Sequence, residues 1–561
     1  MLEFDVVVIG GGVAGMRAAL AASASAGVAL ISKDHPVRSG STSSGGGINA
    51  PLDPSDDLET YATDTVRAGD FLSERDAVET LCADAASAVI EMENSGVAFD
   101  RDPTGRLALH RLGGTSRSRA AHGADWTGVL LAQTLWAELV KAGVTVLDEW
   151  YVTRLVVRDE EVLGVVATDL RSGELHAVGA RAVILATGGA AGVYEINTSP
   201  VSNTADGLAL AYREGLPLRD MEFVQFNPTG LYVAGNALAR GISITEAARS
   251  HGSLLRNSEG ERFMERYASE SLELAPRDIV SRAVQTEIDA GRGVNGGCVS
   301  LDASRNGDMA SSLPNFQRLC GDLLNLDPSE NPVPVVPSAH SSAGGIPTDL
   351  DGSTAVAGLY AVGECASTGV HGAGPLAGNG LAEALVFGRL AGNAAANRAS
   401  EGVLHFADLS AARDDEADRV GRLVAHPGAE RASTLTGEMR SVMSSHVGVF
   451  RDGEGLATAR SALDSVSERL ADIGIANKSK RFNLEVRAAL ELINMVEVAG
   501  VVLDSASNRT ESRGSHFRRD HADRDDEHWR LHTLAYQNRE GTRIETGELA
   551  AKTDDPDARA F

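Results

Sequence analysis

The apolar positions of this chain fall into short unbroken runs near its start and into helically spaced sets near its end. Val6, Val7, Val8 and Ile9 form a β-branched run that fits a strand buried on both faces of a parallel sheet. Val28 to Ser32 reads as a second strand, and the Ala-rich stretch between the two predicts a helix starting at about Met16. Beyond about residue 404 the pattern becomes helical, with Leu484, Val486, Leu490, Ile493 and Val496 recurring at close to helical spacing. Between these regimes Pro328, Pro332, Pro334 and Pro337 disfavour helix and predict an extended crossing.

The first run leads into Gly10, Gly12 and Gly15 in the spacing G-x-G-x-x-G, directly before the predicted helix. In such a unit the first glycine makes a tight turn, the second lets the backbone approach a pyrophosphate, and the third lets helix and strand pack closely. The pyrophosphate then rests on the helix N-terminus. A strand before and a helix after favour a dinucleotide over a plain glycine-rich turn. The second strand ends Ser32-Lys33, where an acid most often holds the ribose of a nicotinamide cofactor, so the ending argues against NAD.

At 561 residues the chain exceeds what one core supports, so about two or three domains are expected, and 43% hydrophobic residues can fill them. A formal charge of -27 argues against nucleic acid or an anionic membrane as partner, because both reward a basic face. Cys82, Cys298, Cys320 and Cys365 lie far apart without a C-x-x-C pair, so neither a disulfide framework nor a metal site is expected. Met1 runs straight into the first strand, and no apolar run reaches the roughly 18 residues that a membrane span needs. A cytoplasmic protein without direct membrane insertion is the expectation.

The segment Arg38-Ser39-Gly40-Ser41-Thr42-Ser43-Ser44-Gly45-Gly46-Gly47-Ile48 resembles the flavin loop of the succinate dehydrogenase and fumarate reductase flavoproteins, a family that includes L-aspartate oxidase. Arg181 to Gly189 (RAVILATGG), Asp206-Gly207, Gly358 to Glu364 (GLYAVGE) and Asn379-Gly380-Leu381 resemble further flavin-holding segments, in family order. Singly, each reads as a strand end or a turn. The resemblance covers almost the whole chain and implies an α/β fold. A discontinuous Rossmann-like FAD-binding domain (1–230 and 336–403) carries an inserted α+β capping domain (231–335) and a C-terminal helical domain (404–505). A charged segment (506–561) follows. Its stretch Arg509 to Trp529 reads by composition as solvated, yet resembles a family segment that is ordered.

The same resemblance implies the cofactor contacts. FAD is expected against Gly10, Gly12 and Gly15, against Ser32 and Lys33, and against Ser39, Ser41, Thr42, Gly46 and Gly47 of the loop. Thr187, Gly188 and Asp206, then Glu364, Asn379 and Leu381, complete the set. In the respiratory members a histidine of the loop carries the flavin covalently. Gly40 stands at that position, so the FAD is expected to be non-covalent.

Catalysis is expected where cap meets flavin. Arg277, in Ala275-Pro276-Arg277-Asp278, resembles the family arginine that passes a proton to or from the substrate carbon. Glu246 and Arg249, in Thr245-Glu246-Ala247-Ala248-Arg249, resemble its relay, and lie three apart, on one face if helical. A structural ion-pair network could use the same residues. The substrate clamp departs from the family. His340 matches one clamp histidine, but Asn227 stands for the other and Pro375 for the clamp arginine. Leu112 lies where the aspartate oxidases read an amino group with glutamate.

His340, Thr245 and Asn227 are the expected substrate contacts. The implied activity is hydride transfer between flavin and a carbon-carbon or carbon-nitrogen bond beside a carboxylate or other electron-withdrawing group, on a substrate other than a simple four-carbon dicarboxylate. Two rivals stand beside it. One is a succinate, fumarate or aspartate enzyme whose clamp is refilled from elsewhere, for instance by Arg117, Arg119 or Arg240. The other is a non-catalytic flavoprotein subunit. An iron-sulfur or other electron-transfer subunit is a candidate partner in either case.

Overall fold

The computed structural model describes residues 1–236, 239–400, 406–538 and 541–550, so the expected boundary at 403–404 and the end of the charged segment lie outside the described residues. The β-branched run sits inside a seven-stranded sheet. Its order is Thr145–Asp148, Val28–Ser32, Leu2–Ile9, Glu174–Leu185, Glu161–Asp169 and Trp150–Arg158, with Leu359–Ala361 also joined to Glu174–Leu185. Leu2–Ile9 pairs in parallel on both sides, Val6 with Val28 and with Ala182, and Val6, Val7 and Val8 have no exposed surface. That two-sided burial is what the unbroken run encodes.

The first helix, Val13–Ser23, begins earlier than the sequence suggests. Gly12 is its cap and Gly15 already lies in its first turn, where a Cβ would stand 2.0 Å from the Gly10 carbonyl oxygen. Gly10 itself has φ +112° and leaves no room for a side chain, with Ala186 O 2.2 Å from any Cβ. The third glycine therefore lets helix and turn interlock.

The segment expected as a cap is continuous with the base through a four-stranded antiparallel sheet in the order Val224–Leu231, Val333–Ser342, Val299–Asp302, Leu254–Arg256. The expected boundaries at 230–231 and 335–336 fall inside this ladder, where Leu231 pairs with Val335. Pro334 and Pro337 lie within Val333–Ser342, extended as expected. The ladder skips between Asn227–Ser338 and Gly230–Val336, and this irregularity takes in both Pro228 and Pro337, residues with no N–H to donate.

Beyond the base come the helices Phe406–Ala425, Ala432–His446, Gly453–Arg469 and Leu484–Asn508. The charged stretch after them is not a solvated run. Arg509, Arg513, Glu222 and Glu511 are fully buried. Arg509 Nε donates to Glu222 Oε1 at 2.7 Å and its Nη1 to Glu511 Oε1 at 2.9 Å. A hairpin, His532–Asn538 with Gly541–Gly547, then adds its first strand to Leu218–Arg219. All four cysteines are buried and unpaired, and among the described residues no cluster suited to a metal is found. Among those residues, too, no helix is long and apolar enough to cross a membrane.

His532 gives this docking a pH signature. Its Nδ1 lies 2.5 Å from Asp220 Oδ2 and its Nε2 3.1 Å from Glu74 Oε1. Burial alone would lower the imidazole pKa, but Asp220 and Glu74 push it up to about 9. A group raised in the folded state stabilises fully below its unfolded value of about 6.5, and the contribution fades as pH climbs through about 9. Thermal melts from pH 6 to 9.5 are expected to show roughly 2–3 kcal/mol of stability lost, and His532→Gln is expected to flatten that slope. Equal slopes in both proteins would refute the assignment.

Candidate functional site

A single cleft runs from the carboxyl ends of the parallel strands, at Ile9, Ile31, Ala186 and Val362, to the cap residues Glu246 and Arg277. Ligands gather at such strand ends because glycine turns and helix N-termini leave backbone donors there. Two of the helices that open on the cleft, Val13–Ser23 and Asn379–Ala399, start at a glycine and carry no side-chain cap. Ser39 Oγ, Asn203 Oδ1 and Ser342 Oγ, all in cleft-lining residues, are buried without a partner. A long ligand rich in phosphate and hydroxyl groups satisfies this wall, and FAD fits it.

Most expected cofactor residues line the cleft: Gly10, Gly12, Ser32, Lys33, Ser39, Ser41, Gly46, Gly47, Thr187, Gly188, Asp206, Glu364 and Leu381. Four expected site residues do not. Gly15 is locked in the first helix. Thr42 turns its hydroxyl back to Ser39 O at 2.8 Å. Asn379 is fully buried against Asn49, Tyr61 and Thr65, and Arg249 lies behind Glu246. Lys33 lines the cleft with its ammonium already bound to Asp206 and Thr204 at 2.6 Å and to Glu491 at 2.8 Å. These bonds tie it to Asp206, which also accepts from Asn494 at 2.8 Å. Burial pushes the Glu364 carboxyl up to about 7 against backbone N–H bonds from Ser342 and Gly189.

The three residues expected to form a relay meet. Arg277, first residue of the helix Arg277–Asp289, donates from Nε to Glu246 Oε2 at 2.7 Å. Arg249 Nη2 stands 3.4 Å from the same oxygen, and its Nη1 donates to Glu273 O at 2.6 Å. Gly113 N donates to Glu246 Oε1 at 2.5 Å. Burial would raise the Glu246 pKa, but Arg249 and Arg277 bring it down to about 2, so the carboxylate stays ionised. Burial also lowers Arg249 from the usual guanidinium range, with Glu246 opposing. A desolvated guanidinium is a better acid than one in water.

The residues expected to hold the substrate are mostly uncharged. His340 Nδ1 is 2.7 Å from Thr198 Oγ1, and burial together with Arg277 lowers its pKa to about 3, leaving a neutral imidazole. Asn227 lines the cleft, yet its Nδ2 already donates to Ser243 at 2.7 Å and its Oδ1 accepts from Thr229 N at 3.0 Å. The expected substrate contact is thus an anchored amide in the cleft wall, with the second hydrogen of Nδ2 beyond the bond to Ser243. Thr245 lines the cleft and accepts from Ala247 N at 3.3 Å. Leu112, Pro375 and Leu376 supply an apolar side. Arg117, Arg119 and Arg240 do not line the cleft. Arg119 is buried on Asp56 and Asp64, and Arg240 lies over the Tyr232 ring.

Sequence reasoning missed Gln225 and Gly113. Gln225 Oε1 accepts from Arg277 Nη1 at 3.0 Å and its Nε2 donates to Pro375 O at 2.9 Å. One signal was available, since Gln225 lies two residues before Asn227 in the same strand and so shares its side.

A family model described as an FAD binding domain matches residues 5–381, and one for the fumarate reductase flavoprotein C-terminal region matches 436–561. The fumarate reductase flavoprotein subunit of Mycobacterium tuberculosis is 40% identical, over 96% of each chain. The succinate dehydrogenase flavoprotein subunit of Rickettsia conorii is 38% identical over 95% of this chain and 93% of its own. Among solved structures, a mutant FrdA chain of E. coli quinol fumarate reductase superposes with TM-score 0.95 at 35% identity, covering 100% of this chain and 99% of that one. Matched by both family models and by relatives along nearly its whole length, the chain belongs to the succinate dehydrogenase and fumarate reductase flavoprotein family and is an FAD-dependent oxidoreductase.

Proposed function

We propose that this protein transfers a hydride to or from a carbon-carbon or carbon-nitrogen bond beside a carboxylate or other electron-withdrawing group, on a substrate that is not a simple four-carbon dicarboxylate. Bound FAD supplies the two-electron chemistry. Arg277 holds the proton to be exchanged with the substrate carbon, and Glu246 and Arg249 refill or drain it. Leu112, Pro375 and Leu376 exclude water from one side, and His340, Thr245 and Asn227 remain for one polar group. Proximity in such a closed site supplies much of the rate.

One observation carries the substrate reading. Of the two corners where the family places a histidine and an arginine, one holds a neutral Asn227 amide anchored on Ser243 and Thr229, and the other a proline. A second carboxylate there would lie unpaired at a cost of several kcal/mol. Malonate, succinate and fumarate are therefore expected to bind with dissociation constants at or above about 1 mM, worth roughly 4 kcal/mol. Asn227→His combined with Pro375→Arg is expected to tighten malonate in flavin absorbance titrations. Submillimolar binding to the unmodified protein would remove the reading. The second reading, a four-carbon dicarboxylate enzyme, is favoured by the 40% identity to a fumarate reductase subunit, and turnover with succinate, fumarate or L-aspartate decides for it.

The relatives are named as flavoprotein subunits, which supports an iron-sulfur or other electron-transfer subunit as partner. Four buried, unpaired cysteines support a reducing, cytoplasmic compartment. The flavin attachment follows from Gly40. A Cβ there would meet only Pro200, at 3.6 Å, so the missing side chain is not a matter of crowding. Glycine offers no nucleophile, and acid precipitation is expected to release the FAD into the supernatant. Yellow colour retained in the pellet would contradict non-covalent binding.

A further inference from the structure

Gln225 is buried beside the cleft, and its amide orientation is fixed by its partners. A guanidinium only donates and a carbonyl only accepts, so Oε1 faces Arg277 and Nε2 faces Pro375. With Nε on Glu246 and Nη1 on Gln225, the Arg277 guanidinium is held at two points and its plane is set. Nη2 is the nitrogen left for the cleft. Both ends of this bridge are anchored. Ser281, on the helix that Arg277 opens, donates to Phe226 O at 2.7 Å, next to Gln225 in the strand. Ser515 N donates to Ala373 O at 2.9 Å, two residues before Pro375.

We infer that Gln225 is a positioning residue that aims the Arg277 guanidinium and, through the Pro375 carbonyl, ties its aim to the corner where the family arginine is missing. The inference rests on the proton role proposed for Arg277. The proton that leaves Arg277 for the substrate carbon is replaced from Arg249 through Glu246, so Gln225 neither gains nor loses one. A neutral amide suits the place. It fixes direction without adding a second negative charge against Arg277, which keeps Glu246 as the single carboxylate in its contact.

The test compares FAD-loaded wild type with Gln225→Met, which removes both bonds at similar length, and Gln225→Glu, which keeps an acceptor for Arg277 but loses the donor to Pro375. The probe is whichever compound of a panel of enoates, acids and amino acids reoxidises or bleaches the wild-type flavin fastest. Gln225→Met is expected to lower kcat about 10- to 100-fold with KM within about threefold, and to enlarge the solvent deuterium isotope effect as proton transfer becomes limiting. Gln225→Glu is expected to recover part of kcat. Wild-type kcat and isotope effect in Gln225→Met would overturn the inference while leaving the proposed activity standing. So would a loss confined to KM, or failure of both variants to retain FAD, either of which marks a structural role. A wild-type flavin that responds to no compound would overturn the proposed activity, and the inference with it.

Discussion

Arg277→Lys is expected to retain FAD and to lose turnover by roughly 100- to 10,000-fold, the usual contribution of a positioned proton donor. The structure explains why retained charge does not suffice. Nε and Nη1 donate in two directions, to Glu246 Oε2 at 2.7 Å and to Gln225 Oε1 at 3.0 Å. One ammonium on a flexible stem cannot reproduce that fork while also reaching the substrate. Rapid-mixing measurements of flavin bleaching, beside steady-state kcat, check the prediction. Turnover at the wild-type level would take Arg277 out of the mechanism.

Arg509→Ala carries the largest expected loss of stability, about 3–5 kcal/mol, because it leaves the buried Glu222 carboxylate without its cation and Glu511 with Arg513 alone. Glu222 and Glu511 both bond to Arg509, and all three side chains are fully buried. The carbonyls of Trp529 and Leu531, each 2.8 Å from its guanidinium, also lose their donor. The guanidinium further lies over the Phe223 and Trp529 rings. Thermal melts followed by flavin fluorescence test this, and a midpoint unchanged from wild type would show that the cluster adds nothing to stability.

The glycine turn and its strands were legible because they rest on local sterics: Gly10 cannot carry a side chain, and a strand buried on both faces must be apolar throughout. The start of the first helix was misjudged for an equally local reason, since Gly15 serves the helix rather than the turn. The tail was illegible from composition. Whether a charged run is solvated or buried depends on its partners, and those of Arg509 and His532 are Glu222 and Asp220, 287 and 312 residues away. The residues proposed for the relay could be named through resemblance, but Gln225 could not. Its two bonds span 52 and 150 residues and involve a main-chain oxygen, which leaves no side-chain signature.

The pairing of the strand Leu218–Arg219 with His532–Asn538 has a consequence for biosynthesis. Asp220 and Glu222 lie just before the strand that carries Gln225 and Asn227, and their neutralising partners are translated only with Arg509 to Thr533. A nascent chain on the ribosome must keep these two acids hydrated, and the neighbouring strand loose, until that segment emerges. The strand that carries Gln225 and Asn227 is thereby preceded by two acids whose folded-state partners all come from the last tenth of the chain, which ties the substrate end of the cleft to the C-terminal segment.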